Sequence, residues 1–186
     1  GTRSTDTMYT LYIGNKNYSS WSLRGWLAVK LAGAPFEEVH IRLRGTFNPD
    51  NLAFSPTALV PSLHDGSTVV WDSFAIGEYL AERHPGMWPQ DPAARAWARS
   101  IAAEMHSGFV PMRSDMTMCI RERLDVRPWS DAVVANVARV EAIWSETRRR
   151  FGAGGDYLCG AFTLADVKGV AVVVETEGGQ QAALLF

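Results

Sequence analysis

The spacing of apolar residues changes character once along this chain, and that change limits the fold more than any other feature. Up to residue 85, short apolar runs of strand length alternate with stretches of helical period. From residue 92 the strand pattern lapses for many residues and helical spacing takes over. Between them lies Met87 to Pro92, which carries both Pro89 and Pro92. The chain therefore reads as an α/β domain over 8–85, a linker over 86–91 and an all-helical domain over 92–186. Its 186 residues are enough to give two small domains real cores.

Within the first domain, Tyr9 to Ile13 reads as a buried strand. Leu23, Trp26, Leu27 and Leu31 fall at i, i+3, i+4 and i+8, which predicts a helix over 20–32 that Gly33 and Pro35 stop. Phe36 to Leu43 alternates Val39, Ile41 and Leu43 with Glu38, His40 and Arg42, as a strand does. Asn48 to Phe54 is a short helix broken at Pro56. Leu59 to Leu63 and Thr68 to Trp71 flank Asp65-Gly66 and predict a hairpin. A helix over 73–83 ends at His84-Pro85-Gly86. The order is βαβαββα, with a parallel crossover first and a hairpin later.

In the second domain, Ala94, Trp97, Ala98, Ile101, Met105, Gly108 and Met112 mark one long helix. Another starts near Ser130 and runs through Val133, Val137, Val140 and Trp144 to Phe151. Thr163-Leu-Ala-Asp166 is a capping box and predicts a further helix start, so this half is a helical bundle. The β-branched run Val170 to Val174 and the pair Gly178-Gly179 do not fit a helix.

Eighteen basic and twenty acidic residues leave a formal charge of −2, which argues against nucleic acid or an anionic membrane as partner. Arg148-Arg149-Arg150 falls where a helix should end and reads as a solvated terminus suited to the helix dipole. Cys119 and Cys159 are far apart, as expected in a reducing compartment. No secretory segment opens the chain and no apolar run could span a bilayer, so the reading is cytoplasmic. The opening GTRSTDT is polar and expected to fray. The four histidines show no ligand spacing, so no metal is expected.

The candidate chemistry lies in residues 8–27. Ser19-Ser20 opens the first helix, setting hydroxyls beside backbone N–H groups that have no partner inside the helix. With the helix dipole, such a corner favours negative charge, and a thiol held there would ionise more readily than in water. A free thiol titrates near 8.5, so little of it is thiolate at neutral pH. Lowering that value by two units takes about 2.7 kcal/mol, within reach of one charge-assisted hydrogen bond plus the dipole. The same serines would also serve as plain helix caps, as would Asp72 and Ser73 at the helix over 73–83. Met105, Phe109, Met112 and Met116 read either as core or as soft surface for an apolar compound.

Three segments carry a resemblance. Ser19-Ser20-Trp21-Ser22-Leu23-Arg24 resembles the SSCxWR segment of zeta-class glutathione S-transferases and related bacterial enzymes, with Trp21 in place of the cysteine. Val60-Pro61-Ser62-Leu63 resembles their VPxL segment, and Asp72-Ser73-Phe74-Ala75-Ile76 the acidic-Ser-x-Ala-Ile segment at a helix start. In this order and at these separations they give the chain a resemblance to the cytosolic glutathione S-transferases over most of residues 8–166. The resemblance implies a thioredoxin-like α/β domain followed by an all-helical one.

It also implies roles. Ser19, with Ser20 as understudy, would donate to the glutathione sulfur. Trp21, Val60, Pro61, Asp72 and Ser73 would bind glutathione. Pro61 would be cis, Val60 would offer its backbone to the cysteinyl part, and the Asp72-Ser73 corner would hold the γ-glutamyl end. A small hydrophobic electrophile would meet the thiolate between the domains. Glutathione would be co-substrate, no metal would be needed, and the protein would be a homodimer engaged in detoxification. The alternatives are a glutathione-dependent cis–trans isomerase, as in maleylacetoacetate isomerisation, and a non-catalytic binder on the same fold. A thiol–disulfide reductase would need a cysteine near position 19, and none is there.

Overall fold

The structure, a computed structural model, describes residues 8–44, 47–121, 127–169, 173–175 and 181–183. The opening GTRSTDT lies outside them. The chain divides into two compact units, Gly1–Met87 and Trp88–Phe186.

The first unit runs β1 (Tyr9–Ile13), α1 (Ser20–Ala32), β2 (Phe36–His40), a 3-10 turn (Pro49–Ala53), β3 (Ser62–Asp65), β4 (Thr68–Trp71) and α2 (Ser73–Ala81). The sheet order is β2-β1-β3-β4. β1 and β2 are parallel, with Tyr9 opposite Phe36 and Ile13 opposite His40. β3 is antiparallel to β1, Leu63 facing Leu11, and β4 closes the hairpin antiparallel to β3. The turn between them uses Gly66 at φ 58°, a conformation that costs glycine little.

The period-two alternation of β1 sends Tyr9, Leu11 and Ile13 into the core, where Leu63, Ala28, Val29, Ile76 and Leu80 are also fully or nearly fully buried. Each large aliphatic side chain hidden this way contributes about 1.5–3 kcal/mol. At Gly25 of α1 an added Cβ would come within 2.7 Å of the Pro61 ring, so only glycine lets α1 lie this close to the start of β3. α1 stops at Gly33, whose φ of 69° turns its N–H onto the Lys30 carbonyl at 3.1 Å.

Three expectations for this unit shift. The second helix of the βαβαββα order is a five-residue 3-10 turn, because Asn48 caps it, Pro49 opens it and the chain turns again before Pro56. β2 ends at His40 rather than Leu43, because β1 ends at Ile13 and offers one last carbonyl, to Ile41 N–H at 2.7 Å. α2 ends at Ala81 rather than residue 83.

The second unit runs α3 (Pro92–Ser107), α4 (Val110–Asp115), α5 (Asp131–Phe151), a 3-10 turn (Gly152–Gly154), α6 (Leu164–Lys168), β5 (Val173–Glu175) and β6 (Gln181–Ala183). Asp91 caps α3, accepting from Ala94 N–H at 2.8 Å, with Pro92 in the first turn. The single helix expected through Met112 breaks at Gly108-Phe109. Gly108 is extended, Phe109 sits at φ 63° and Pro111 has no N–H to continue a helix. Arg113 pins the break, its guanidinium donating to the Gly108 and Met105 carbonyls. α3 and α5 are joined by Trp97 Nε1 donating to Thr147 Oγ1 at 2.8 Å and by a two-pronged Arg139–Glu104 pair.

The second half is not helical to its end. β5 and β6 pair antiparallel, Val173 opposite Ala183 and Glu175 opposite Gln181. Val173 and Val174, the described part of the β-branched run, favour the extended chain that β5 adopts. Residues 170–172 of that run and Gly178-Gly179 lie outside the described residues. Among the described residues no helix is long and apolar enough to cross a membrane.

Candidate functional site

A compact turn delivers the chain from β1 to α1. The Asn15 carbonyl accepts from Ser19 N–H at 2.8 Å and from Tyr18 N–H at 3.3 Å, while its side chain accepts from Asn17 N–H at 2.8 Å. Ser19 is then the N-cap of α1, with φ −99° and ψ 98°, and its Oγ accepts from Ser22 N–H at 3.2 Å. The Ser19 hydroxyl donates to Ser22 Oγ at 3.0 Å. Ser22 is fully buried and also accepts from Gly14 N–H at 2.9 Å. Ser20 and Trp21 take the first two helical positions, both half-buried. No acidic residue stands in the first turn to offset the positive end of the dipole, so the corner keeps its attraction for an anion.

The Trp21 ring lies 4.7 Å from the guanidinium of Arg24, a side chain 1% exposed. This is a cation–π contact in the turn that opens the helix.

The start of β3 comes next. The Val60–Pro61 peptide is cis, as the resemblance implies, and Pro61 is buried against Gly25. The preceding loop is tied down by Asn51 Nδ2 donating to the Ala58 carbonyl at 3.1 Å, and by Ser62 Oγ and His64 Nε2, each 2.8 Å from the Phe54 carbonyl. Tyr12 stacks on Phe54 with ring centroids 4.7 Å apart.

At α2, Asp72 is the N-cap, held at φ 74°, and its Oδ1 accepts from Phe74 N–H at 2.7 Å and Ala75 N–H at 3.3 Å. Ser73 behind it is 1% exposed, and its Oγ has no hydrogen-bond partner among the described residues. A buried hydroxyl left unmatched costs about 1–3 kcal/mol, so this one is a candidate for a guest to satisfy.

Beside these corners lies a cluster that the sequence did not single out. Glu38 accepts from Lys16 Nζ at 2.9 Å, from the Trp26 indole N–H, and meets His40 Nε2 at 3.0 Å. Burial pushes the Glu38 carboxyl up, but the donors from Lys16, Trp26 and His40 outweigh it and hold the group below its ordinary value.

The other candidates fall elsewhere. Met105, Phe109, Met112 and Met116 are all buried and belong to the second unit. Cys159, in that unit too, is pushed up to about 11, first by burial and then by the Asp166 charge, which makes it a poor nucleophile. Arg148 at the end of α5 donates to the Gly155 and Tyr157 carbonyls, and Arg150 lies 4.4 Å over the Trp97 ring, so that cluster is engaged rather than merely solvated. His40 meets Glu38, His64 meets the Phe54 carbonyl and His84 meets Tyr9 OH at 3.0 Å. Among the described residues no group of three His, Cys, Asp or Glu could hold a metal.

All seven sequence-derived site residues therefore lie in the first unit: Ser19, Ser20 and Trp21 at the start of α1, Val60 and Pro61 ahead of β3, and Asp72 and Ser73 at the start of α2. Ser22 and Gly25 were not among them. The signals that mark them are the i, i+3 serine spacing of a cap and a glycine inside a helical pattern.

A family model described as "Glutathione S-transferase, N-terminal domain" matches residues 18–83. The "Maleylacetoacetate isomerase" of Mus musculus is 30% identical over 175 residues, covering 90% of this chain and 77% of that one. The "Glutathione S-transferase zeta class" protein of Euphorbia esula is 36% identical over 100 residues, 52% of this chain and 44% of that one. Among solved structures, the theta class glutathione S-transferase of Xanthomonas axonopodis pv. citri, with glutathione bound, aligns at a TM-score of 0.61 and 26% identity, covering 87% of this chain and 79% of that one.

Proposed function

This chain belongs to the glutathione S-transferase family, and from that premise we propose that it binds glutathione in its first unit and directs the thiolate at an electrophilic carbon of a small apolar compound. Domain 8–85 carries the thiol chemistry, and the second domain over 92–186 follows the linker over 86–91. Ser19 is the hydroxyl that donates to sulfur, with Ser20 next to it as the alternative donor. The dipole of α1 and its unneutralised first turn lower the energy of the anion further. The thiol proton leaves to solvent, the sulfur lone pair forms a C–S bond, and the carbon's leaving group departs with its bonding pair. Trp21 flanks the reacting sulfur. Val60, ahead of the cis peptide to Pro61, offers backbone groups to the cysteinyl part. Asp72 faces the γ-glutamyl ammonium and Ser73 its carboxylate.

The observation that most supports this reading is the buried, unmatched Ser73 hydroxyl at the start of α2, in the same unit as the capped start of α1. A γ-glutamyl carboxylate would satisfy it at a helix N-terminus, where anions are favoured.

A second reading rests on the mouse relative, whose printed name is that of an isomerase and which aligns over most of this chain. The same thiolate would add to a conjugated double bond, turning it into a single bond about which the chain rotates, and would be expelled as the double bond re-forms, with no net change in composition. The family resemblance also supports a two-fold dimer acting in the cytoplasm in detoxification, testable by light scattering and fractionation.

Retention on immobilised glutathione, followed by parallel assays of aryl halide conjugation and of cis–trans isomerisation of a dienoic acid, tests the proposal. Retention with thiol-dependent conjugation is expected. Isomerisation without conjugation selects the second reading, retention without either activity leaves a binder, and no retention at all overturns the proposal.

A further inference from the structure

The hydroxyl assigned to the sulfur is already committed twice. Ser19 Oγ accepts from Ser22 N–H at 3.2 Å, and its single proton is given to Ser22 Oγ at 3.0 Å. A serine has one proton to donate, so Ser19 cannot serve a thiolate and Ser22 at once. Ser22 is placed to manage that exchange. It is fully buried, so no water competes for it, and Gly14 N–H fixes its oxygen at 2.9 Å from the end of β1. Its own O–H is a second proton in the same short chain of hydroxyls.

Resting on the assignment of Ser19 as sulfur donor, we infer that Ser22 is a positioning residue for that hydroxyl: it receives the Ser19 proton while no thiol is present, and donates its own proton to Ser19 Oγ once Ser19 turns to a thiolate. The reversal keeps every oxygen matched. Gly14 N–H still satisfies Ser22, Ser22 O–H replaces the bond it lost, and Ser19 now donates outward as the middle of a chain. A hydroxyl that accepts one hydrogen bond donates a stronger one, because each bond polarises the next. No covalent bond changes. The thiol proton goes to solvent, and the two hydroxyl protons stay on their own oxygens while their directions rotate.

The test is a spectroscopic titration of bound glutathione, reading thiolate absorbance against pH, on the wild type, Ser19→Ala, Ser22→Ala and Ser22→Cys. The cysteine variant keeps a buried acceptor for Gly14 N–H and removes the strong donor, so it decides the question if the alanine variant does not fold. Its own thiol is subtracted by titrating it without glutathione. Binding of S-methylglutathione, which has no thiol to ionise, reports separately on an intact site. The expected result is that Ser22→Ala and Ser22→Cys lower the thiolate fraction at neutral pH by about threefold to tenfold, shifting the pH profile of kcat/KM toward alkali. S-methylglutathione should bind as before. In the Ser19→Ala background the same changes should move nothing further. Bound-thiol acidity unchanged or increased in the Ser22 variants, with Ser19→Ala still reducing it, overturns this inference alone. No effect of Ser19→Ala overturns the donor assignment on which it stands.

Discussion

The start of α2 and the start of α6 both use an acid and a hydroxyl, yet one is closed and the other is not. At α6, Asp166 accepts from Thr163 N–H at 2.9 Å and Leu158 N–H at 3.0 Å, while Thr163 Oγ1 accepts from Ala165 N–H at 3.3 Å. Both side chains are buried and every polar group in the box has a partner. At α2, Asp72 is exposed and does all of the side-chain capping, which leaves the hydroxyl of Ser73, buried as deeply as Thr163, with no partner among the described residues. The first arrangement has the economy of a folding device. The second keeps capacity in reserve, which is what a binding corner needs and a purely structural one avoids. The start of α1 stands between them, saturated in a way that one rotation can undo.

Breaking the closed corner should have the largest effect. Asp166→Ala leaves a buried N–H at Thr163 and a part-buried one at Leu158 unmatched and should cost about 2–4 kcal/mol in denaturant unfolding. A loss below about 1 kcal/mol would show that water replaces the carboxylate and that the corner is less closed than it looks. Next comes the convertible corner. Ser19→Ala should lower turnover by about tenfold or more, with glutathione affinity close to the wild type, as steady-state kinetics and calorimetric titration would report. The open corner follows. Ser73→Ala should weaken glutathione binding by roughly threefold to tenfold while leaving the melting temperature unchanged or raised, since it removes a buried hydroxyl with no partner. A drop in melting temperature without loss of binding would make Ser73 structural.

The smallest effect separates two carboxylates by pH. The Asp166 carboxyl is raised by burial, against the pull of the Leu158 and Thr163 N–H groups. A raised acid binds its proton more readily when folded, so its contribution is largest at low pH and fades as pH climbs through the folded value. Glu38 is held low, so its contribution is present above its unfolded value and lost as pH falls through the folded one. Melting curves between about pH 3 and pH 7 should therefore show Glu38→Gln flattening the acid side. An unchanged acid side would mean that Lys16 and Trp26 hold the strand without the charge.

Elements whose signal is local were legible in the sequence. The Ser19, Ser130 and Thr163 caps, the Asp65-Gly66 hairpin and the Gly33 stop carry their cause within a few residues, and each stands where it was expected. What was not legible depends on partners distant in the chain. β2 ends where β1 ends, not where its own alternation does. The break at Gly108-Phe109 is held by Arg113, and helical spacing continues across it, so periodicity alone ran the two helices together. For the candidate site residues, their place at the starts of α1, β3 and α2 was readable, but the commitment of the Ser19 proton was not, because it needs Ser22 and Gly14 placed together by the fold.

Trp21 stands where the resembling motif has a cysteine, and both cysteines of the chain, Cys119 and Cys159, fall beyond Met87. On the proposed reaction, an electrophile drawn to the first unit meets no cysteine of that unit. Reagents that alkylate thiols therefore find no cysteine in the first unit, whose proposed chemistry rests on a sulfur brought in by the co-substrate.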